Sequence, residues 1–309
     1  MVGVKDLSIN EPLGKYTTFK IGGPADYFYD AKTVDDFVGA MLLGRKLGLP
    51  VFILGGGTNI LIGDKGIRGL VVRNSTRGIS LRGVKNQLVF VEAESGVVIN
   101  QLVRITVEEG LAGLEMQLGL PGSVGGAVYM NSKWTHPVGY VGDVVYQAKI
   151  LTPQGEIKIV PKSYFQFAYD TSILQKSNDI VLSVVFALRR ADKKELWKIA
   201  NDSVVYRRET QPQGVHSPGC TFRNISQAQA IAVPTPNHTT SAGFLVDHAG
   251  CKGMHVGDAA VSDVHANFIV NRKAASAADV IQLIEKIRKK VFDQFGVTLE
   301  EEIVRVGEF

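Results

Sequence analysis

Two glycine-rich stretches contain the residue types that could bind a phosphate group. The first, Gly55-Gly56-Gly57-Thr58-Asn59, directly follows an apolar run at 51–54. The second, residues 119–131, again combines glycines with small hydroxyl and amide side chains. Glycine permits left-handed backbone and close approach to a ligand, so backbone N–H groups in such turns can hold a pyrophosphate. Either stretch alone could equally be a tight turn without a ligand, but the two together favour a phosphate site.

The two stretches fit none of the common nucleotide or nucleophile motifs. A dinucleotide fingerprint needs a third glycine where Ile60 stands, a long helix, and an acidic residue near position 75, where the sequence reads Ser-Thr-Arg. The P-loop pattern Gly-Lys-Ser/Thr does not occur. In the second stretch Pro121 occupies the first glycine position of a G-x-S-x-G elbow. The pattern therefore predicts a phosphate site of another kind.

The composition is that of a globular protein that binds a small ligand. The chain has 309 residues, of which 45% are hydrophobic and 21% charged, and its net charge is +4. This charge is spread without the basic stripe of a nucleic-acid binder, and it is compatible with an anionic substrate. The first residues lack a signal-peptide pattern, and the longest apolar run is far shorter than a membrane span. Cys220 and Cys251 make no disulfide framework, so we expect a cytoplasmic protein. From the charge distribution and the short apolar runs, we expect no nucleic-acid or membrane partner.

The elements that must position these stretches follow from hydrophobic periodicity. Helical spacing predicts helices over residues 34–47, 99–109, 193–208 and 277–295, the last with Ser276 as its N-cap and Gly296 as its stop. Apolar or alternating runs predict strands at 51–54, 70–73, 88–93, 148–151, 157–160, 180–188 and 297–306. A Pro- and Gly-rich loop at 211–218 separates a last domain. We therefore expect three parts, 1–75, 76–200 and 201–309.

Several segments, in order, resemble one flavoenzyme family. The segments are residues 17–25 (TTFKIGGPA), 54–61 (LGGGTNIL), 119–131, 242–250 (AGFLVDHAG), 261–271 (VSDVHANFIVN) and 295–302 (FGVTLEEE). They are similar to the UDP-N-acetylenolpyruvoylglucosamine reductase (UDP-N-acetylmuramate dehydrogenase) family. The resemblance spans nearly the whole chain, and its motifs are specific.

The resemblance implies a fold and a reaction. The fold would be α+β, with a two-lobed FAD-binding domain of the vanillyl-alcohol-oxidase type and a C-terminal α/β substrate-binding domain. NADPH would reduce the FAD, which would then reduce the enolpyruvyl ether of UDP-N-acetylglucosamine to UDP-N-acetylmuramate, in peptidoglycan precursor synthesis. A monomer is expected. The implied FAD contacts are Gly55, Gly56, Gly57, Thr58, Asn59, Ile60, Gly122, Ser123, Gly125, Gly126 and Asn131.

The resemblance also implies two groups that handle protons. Cys220, in Gly-Cys-Thr-Phe-Arg-Asn, stands where the family has its proton-donating serine. A thiol with a pKa of about 8.5 is a far better acid than an alcohol. Glu302 matches the family's Glu in Leu-Glu-x-Glu and would stabilise an enol-like intermediate by hydrogen bonding. The alternatives are a small buried hydrophobic residue at Cys220 and a solvated carboxylate at Glu302.

Four further residues match family positions that contact the substrate: Tyr169, Arg223, Asn224 and Asn267. The amide groups of Asn224 and Asn267 suit the oxygens of uracil and phosphate. Either asparagine could equally stabilise a turn.

At a third catalytic position, the chain departs from the family pattern. Asp170 stands in Phe-Ala-Tyr-Asp-Thr-Ser where the family has an arginine, and an unpaired Asp there would repel the substrate carboxylate by several kcal/mol. Val304 replaces a second arginine, and residues 132–136 lack the family's Gly-Ala-Tyr-Gly. Three explanations follow. Another cation (Lys133, Arg223 or Arg305) replaces the arginine, which we favour; or the chain is another FAD oxidoreductase of the superfamily; or it is an FAD-binding homologue with weak activity.

A metal site is the alternative from another class of protein. His248, Cys251 and His255 lie close in sequence and are competent zinc ligands. The glycines between them favour turns, and we predict no metal.

Overall fold

The computed structural model describes residues 2–136, 138–233 and 235–309. The chain forms two compact units. The first comprises Met1–Leu7, Phe28–Gly56 and Val71–Arg207, and the second Ser8–Tyr27, Gly57–Leu70 and Arg208–Phe309. The three-part division at 1–75, 76–200 and 201–309 stays a prediction.

The helices are α1 (Val34–Lys46), α2 (Ile99–Glu108), α3 (Val124–Met130), α4 (Leu174–Ser177), α5 (Lys193–Thr210), α6 (Gln227–Ala232), α7 (Ala242–His248) and α8 (Ala277–Phe295). The strands are β1 (Ser8–Pro12), β2 (Pro24–Ala31), β3 (Val51–Leu54), β4 (Ile60–Ile62), β5 (Ile67–Asn74), β6 (Ile79–Lys85), β7 (Leu88–Glu94), β8 (Leu111–Ala112), β9 (Lys133–Thr135), β10 (Val138–Tyr140), β11 (Val145–Leu151), β12 (Ile157–Pro161), β13 (Ile180–Arg190), β14 (His255–Val256), β15 (Ala259–Val261), β16 (Ile269–Asn271) and β17 (Val304–Val306). None of the helices in the described ranges has the length and apolar character needed to cross a membrane.

The first unit is built on an antiparallel sheet in the order β12-β11-β13-β7-β6, with β8 paired to the end of β13. Alternate residues of β7, namely Val89, Val91 and Ala93, are buried in its core. The apolar side of α2, including Leu102 and Val103, lies in the same core. This unit also contains β3 and the last residues of β2 (28–31) and β5 (71–74), which belong to a second sheet with β5 between β2 and β3. The alternation along β7 is the signature of an antiparallel sheet with one covered face.

The second unit contains the short antiparallel sheet β14-β15-β16 and the parallel pair β4–β17. The side chains of Val280, Ile284, Ile287 and Val291 form the buried stripe of α8. They share one core with Leu61 of β4. The long helix is therefore held by burial along its whole length.

The first turn of α8 has a protein partner for each of its first three N–H groups. Asp64 accepts from the N–H groups of Ala277 (2.7 Å) and Ala278 (3.0 Å). Ser276 Oγ accepts from the N–H of Asp279 at 3.0 Å, and the Asp279 carboxylate accepts from Ser276 N–H at 2.9 Å. This reciprocal capping box confirms the predicted start. Gly296, with φ of 68°, ends the helix as predicted.

The predicted strand at 297–306 is mostly wrong, because only Val304–Val306 is a strand. The side chains of Val297, Leu299 and Ile303 are buried, which gives the sequence a strand-like alternation. The backbone between them bonds to a loop instead of a regular strand: Arg223 N–H donates to Glu300 O at 2.9 Å. Helix α3 was not predicted, because its glycines have low helix propensity. The four predicted helices and the other predicted strands are confirmed within one or two residues or lie inside longer elements.

We expect Asp64→Ala to lower the free energy of unfolding by about 1–2 kcal/mol and Ser276→Ala by about 1 kcal/mol, because each removes an acceptor from the α8 N-terminus. Asp64 also places negative charge at the positive end of the helix dipole. Denaturant unfolding of both variants measures the effect. Exposed Ser80→Ala is the control and should stay within about 0.5 kcal/mol of the parent. An Asp64→Ala protein as stable as this control would contradict the capping role.

Candidate active site

The first glycine stretch forms a turn that only glycine can make at one position. Gly57 has φ of 61°, and a Cβ atom built there would lie 2.4 Å from the carbonyl oxygen of Tyr16. The carbonyl of Gly57 accepts hydrogen bonds from the backbone N–H (3.0 Å) and the hydroxyl (3.3 Å) of Thr18. Tyr16, Thr17 and Thr18 therefore hold this turn in the second unit. The last two begin the family-like segment at 17–25.

Three successive backbone donors in this turn are unused. Within the part of the chain that the structure describes, the N–H groups of Gly57, Thr58 and Asn59 donate no hydrogen bond. Such a run of unpaired N–H groups after a left-handed glycine is an anion-binding arrangement. These residues therefore fit the pyrophosphate of FAD, the group that the sequence predicts here.

In the first unit the two glycine stretches meet. A Cβ atom built on Gly55 would lie 2.7 Å from Ser123 Oγ. Ser123 is the N-cap of α3, since its hydroxyl accepts from the N–H of Gly126 at 3.3 Å. The sequence had placed both stretches near a phosphate, and the structure brings Gly55 and Ser123 together.

The backbone donors at the start of α3 already have protein partners. Val124 N–H donates to Val97 O at 2.8 Å, and Gly125 N–H donates to Ser95 O at 2.7 Å. A Cβ atom on Gly125 would approach the Ser95 side chain to 3.0 Å. Gly125 is therefore required for close packing, and cofactor contacts by Gly122, Gly125 and Gly126 stay a prediction.

Asn131 ends α3, and both the nitrogen and the oxygen of its side-chain amide bond to backbone groups. Its φ is 47°, its side-chain N–H donates to Ala168 O at 2.9 Å, and its side-chain oxygen accepts from Gly142 N–H at 3.1 Å. Ser172 Oγ donates to Tyr129 O at 2.8 Å. The motif at 167–172 is thus fixed to the end of α3, and an FAD contact by Asn131 stays a prediction.

Asp170 is paired with a cation. Lys133 Nζ donates to both carboxylate oxygens of Asp170, at 3.1 and 3.0 Å, and the two side chains are only 16% and 6% exposed. The same Nζ lies 3.5 Å from the centre of the Tyr169 ring. Burial lowers the pKa of Lys133, but the hydrogen bond with Tyr169 and the charge of Asp170 outweigh it, so the net pKa is raised. Lys133 therefore stays protonated and balances the charge of Asp170. The repulsion expected from an unpaired Asp170 does not apply, because Asp170 is paired.

The other two candidate cations differ in their surroundings. Arg305 donates to both carboxylate oxygens of Glu301, at 2.7 and 2.6 Å, so its charge is already balanced. Arg223 Nε is buried and has no hydrogen-bond partner among the described residues. Arg223 is therefore the candidate whose guanidinium retains a donor for an anionic ligand.

The second unit brings the segments of Cys220 and Glu302 side by side. Glu302 N–H donates to Thr221 O at 2.8 Å, and Thr221 N–H donates to Asn267 O at 2.7 Å. The Cys220 segment thus lies between the 267–268 and 300–302 segments, with bridges Cys220–Phe268 and Phe222–Glu301. Cys220 and Glu302 are both partly exposed, which an exchange of protons with a ligand requires.

The two predicted substrate asparagines hold backbone segments. Asn267 is 3% exposed, and its amide both accepts from Phe222 N–H (2.9 Å) and donates to Phe222 O (2.8 Å). The side-chain oxygen of Asn224 accepts from Ala242 N–H at 3.1 Å, at the start of α7. Both asparagine side chains therefore stabilise the local backbone, as the alternative proposed. Their contact with the substrate stays a prediction.

One contact of the first glycine stretch was not foreseen. Asn59 donates from its side-chain amide to Glu302 O at 3.2 Å, and Asn59 O accepts from Val304 N–H at 2.9 Å. The residue types Asn and Glu do not by themselves predict this contact, because the two residues are 243 positions apart in sequence. Only a pattern of coupled substitutions among relatives could have indicated it.

The alternative metal site has no support in the described ranges. His248 stacks on Phe244 with ring centres 3.7 Å apart, and the Cys251 side chain is fully buried. No group of three or more His, Cys, Asp or Glu side chains in these ranges could hold a metal ion.

Comparison with known proteins identifies the family. A family profile described as an FAD binding domain matches residues 25–160, and one described as the C-terminal domain of UDP-N-acetylenolpyruvoylglucosamine reductase matches residues 211–306. The UDP-N-acetylenolpyruvoylglucosamine reductase of Halalkalibacterium halodurans is 36% identical over 305 residues, covering 99% of this chain and 96% of that protein. The enzyme of the same name from Bacillus pumilus is 38% identical over 300 residues, covering 97% and 93%.

Solved structures agree. The crystal structure of UDP-N-acetylenolpyruvylglucosamine reductase from Thermus caldophilus matches with a TM-score of 0.79 and 29% identity, over 97% of this chain and 99% of that one. A vanillyl-alcohol-oxidase-type flavoprotein from Myceliophthora thermophila shares the fold alone, with a TM-score of 0.53 and 10% identity over 88% of this chain and 70% of that one. The fold is therefore α+β, with an FAD-binding domain of this type followed by the reductase C-terminal domain. This chain belongs to the UDP-N-acetylenolpyruvoylglucosamine reductase family.

Proposed function

We propose that this protein uses FAD and NADPH to reduce the enolpyruvyl ether of UDP-N-acetylglucosamine to UDP-N-acetylmuramate, in peptidoglycan precursor synthesis. The relatives that match over the whole chain support this reaction. The structural observation that carries it is the 2.8 Å hydrogen bond that places the Glu302 segment beside that of Cys220. We further propose that the enzyme is cytoplasmic and acts as a monomer.

The loop at 57–59 would hold the pyrophosphate of the cofactor. The hydride for C3 of the enolpyruvyl group would come from bound FAD after its reduction by NADPH. The free N–H groups of Gly57, Thr58 and Asn59 would bind its pyrophosphate oxygens. Gly55 leaves room beside the Ser123 hydroxyl that any larger side chain would fill.

Cys220 would deliver the proton that completes the reduction at C2. A thiol is a far better acid than the alcohol of the family's serine, so it can donate the proton. Glu302 would share a hydrogen bond with the substrate carboxyl group as negative charge builds up there. The left-handed Gly219, with φ of 96°, turns the chain directly before Cys220.

Lys133 would neutralise Asp170 at the motif where the family has an arginine. The ion pair with Asp170 and the contacts with Tyr169 hold its Nζ in place. Arg223, whose buried Nε has no hydrogen-bond partner among the described residues, would supply the donor to the anionic ligand. The alternative of a catalytically weak homologue predicts no such role.

Anaerobic spectra test the reaction. We expect yellow protein that bleaches when NADPH is added and recovers its colour when UDP-N-acetylglucosamine enolpyruvate follows. The control is addition of UDP-N-acetylglucosamine, which lacks the double bond and should restore no colour. Bleaching without recovery would mean a flavoprotein with another acceptor, or a weak homologue.

Replacement of Cys220 separates the two halves of the reaction. Cys220→Ala should slow reoxidation of the reduced flavin by the enolpyruvyl substrate about 10²–10⁴-fold, because the proton donor is lost. The rate at which NADPH reduces the flavin should stay unchanged. Cys220→Ser restores the family residue and should retain measurable turnover. Stopped-flow absorbance follows both steps.

Cys251→Ala is the matched control for the thiol, because Cys251 is fully buried in the second unit. We expect both half-reactions to keep their parental rates in this variant. Cys220→Ala with an unchanged reoxidation rate would remove Cys220 from the mechanism.

Neutralising Lys133 and neutralising Asp170 should move KM for the enolpyruvyl substrate in opposite directions. Lys133→Met leaves the Asp170 carboxylate unpaired, and Asp170→Asn leaves the Lys133 ammonium unpaired. Repulsion or attraction of the anionic substrate worth about 1.4 kcal/mol changes KM about tenfold. Lys133→Met should therefore raise KM for the enolpyruvyl substrate about tenfold, and Asp170→Asn should lower it. Asn tolerates the left-handed backbone of residue 170, where φ is 50°, so Asp170→Asn is a conservative test.

Steady-state kinetics and thermal unfolding of both variants and of the double variant provide the measurement. The double variant removes both charges, so its KM should lie between those of the single variants. Equal increases in KM for both single variants would show that the pair only stabilises the fold.

A further inference from the structure

We propose that Asn59 is a positioning residue that couples the cofactor loop to the catalytic carboxyl group of Glu302. The proposal rests on the proposed function for the role of Glu302. The coupling itself rests on contacts within the second unit. Asn59 lies in the loop with the unused N–H groups, and its side chain bonds to the backbone of Glu302.

Both backbone polar groups of Glu302 are held by residues distant in sequence. Its N–H donates to Thr221 O at 2.8 Å, and its carbonyl accepts from the Asn59 amide at 3.2 Å. Peptide groups are planar, so fixing the groups on both sides of a Cα atom restricts its φ and ψ. The direction in which the Glu302 side chain leaves the backbone is therefore set by Thr221 on one side and Asn59 on the other.

The register of this contact is fixed by strand pairing that begins directly after it. β4 pairs in parallel with β17, with Ile60 opposite Val304 and Ile62 opposite Val306. Leu61 and Ile62 are fully buried, and Ile303 is 4% exposed. A slip of one residue would expose these side chains, so the loop cannot move along β17 without loss of core burial.

The chemistry of the contact requires a donor at position 59. The Glu302 carbonyl can only accept, and the Asn59 amide supplies an N–H at the right length. Aspartate has the same shape but would place an oxygen against an oxygen. Binding of an anion to the N–H groups at 57–59 orders the loop, and the Asn59 side chain transmits that order to Glu302. Cofactor binding should therefore stabilise the backbone at Glu302 before any substrate is present.

Two variants and one control test this coupling. Asn59→Asp keeps the side-chain shape and loses the donor, and Asn59→Ala loses the whole amide. Thr18→Val is the control, because among the described residues the Thr18 hydroxyl bonds to the same loop at Gly57 O and not to Glu302. Thermal unfolding confirms that each variant is folded.

The first readout needs no turnover. Amide hydrogen exchange of the peptide covering 300–306 is measured in the parental protein with and without FAD. We expect FAD to slow this exchange in the parent and in Thr18→Val. In Asn59→Asp and Asn59→Ala exchange should be at least about tenfold faster than in the parent without FAD, as for loss of one hydrogen bond. FAD should no longer slow it.

The second readout is the split between half-reactions. With FAD at a saturating concentration, the neutral variant Asn59→Ala should slow flavin reoxidation by UDP-N-acetylglucosamine enolpyruvate at least about tenfold, and it should slow flavin reduction by NADPH clearly less. Equal slowing of both steps, or FAD protection of 300–306 that survives in the Asn59 variants, overturns the coupling. If parental protein is not reoxidised by this substrate, the proposed function fails, and the exchange result still decides the coupling.

Discussion

The parallel pairing of β4 with β17 is the constraint on which the chemistry of the second unit depends. It joins residues 60–62 to residues 304–306 and so fixes Asn59 beside Glu302, 243 residues away in the sequence. Burial of Leu61, Ile62 and Ile303 sets its register, because a slip by one residue would turn apolar side chains to water. The hydrogen bonds of the Glu302 backbone to Thr221 and Asn59 keep their geometry because an apolar core, and not the hydrogen bonds themselves, holds the segments in place.

The Lys133–Asp170 pair shows how two departures from a family pattern can be one change. Asp170 stands where the family has an arginine, and Lys133 lies in the stretch that lacks the family's Gly-Ala-Tyr-Gly. In the structure they form an ion pair whose side chains are 6% and 16% exposed. A carboxylate buried to that degree without a partner would be strongly unfavourable. Either residue alone would therefore be destabilising, and the local charge is balanced only when both are present.

Glycine serves three different purposes in the cofactor stretches. At Gly57 it permits a left-handed turn against the Tyr16 carbonyl. At Gly55 it leaves space beside the Ser123 hydroxyl, and at Gly125 it allows α3 to pack against Ser95. Glycine content therefore indicates that something comes close to the backbone. It does not distinguish a ligand from another part of the protein.

The sequence by itself determined the elements that depend on local signals, and it identified the family through motifs in their order along the chain. Helices α1, α2, α5 and α8 follow from apolar spacing and, for α8, from a capping box, because these interactions join residues at most four apart. The strand predicted at 297–306 was wrong, since alternating burial also arises in an irregular segment whose backbone bonds to a loop. Only the tertiary structure decided that Asp170 is neutralised by Lys133 and that Asn59 bonds to Glu302. These contacts join residues whose proximity depends on how the sheets and the core pack. Local sequence patterns do not predict that proximity.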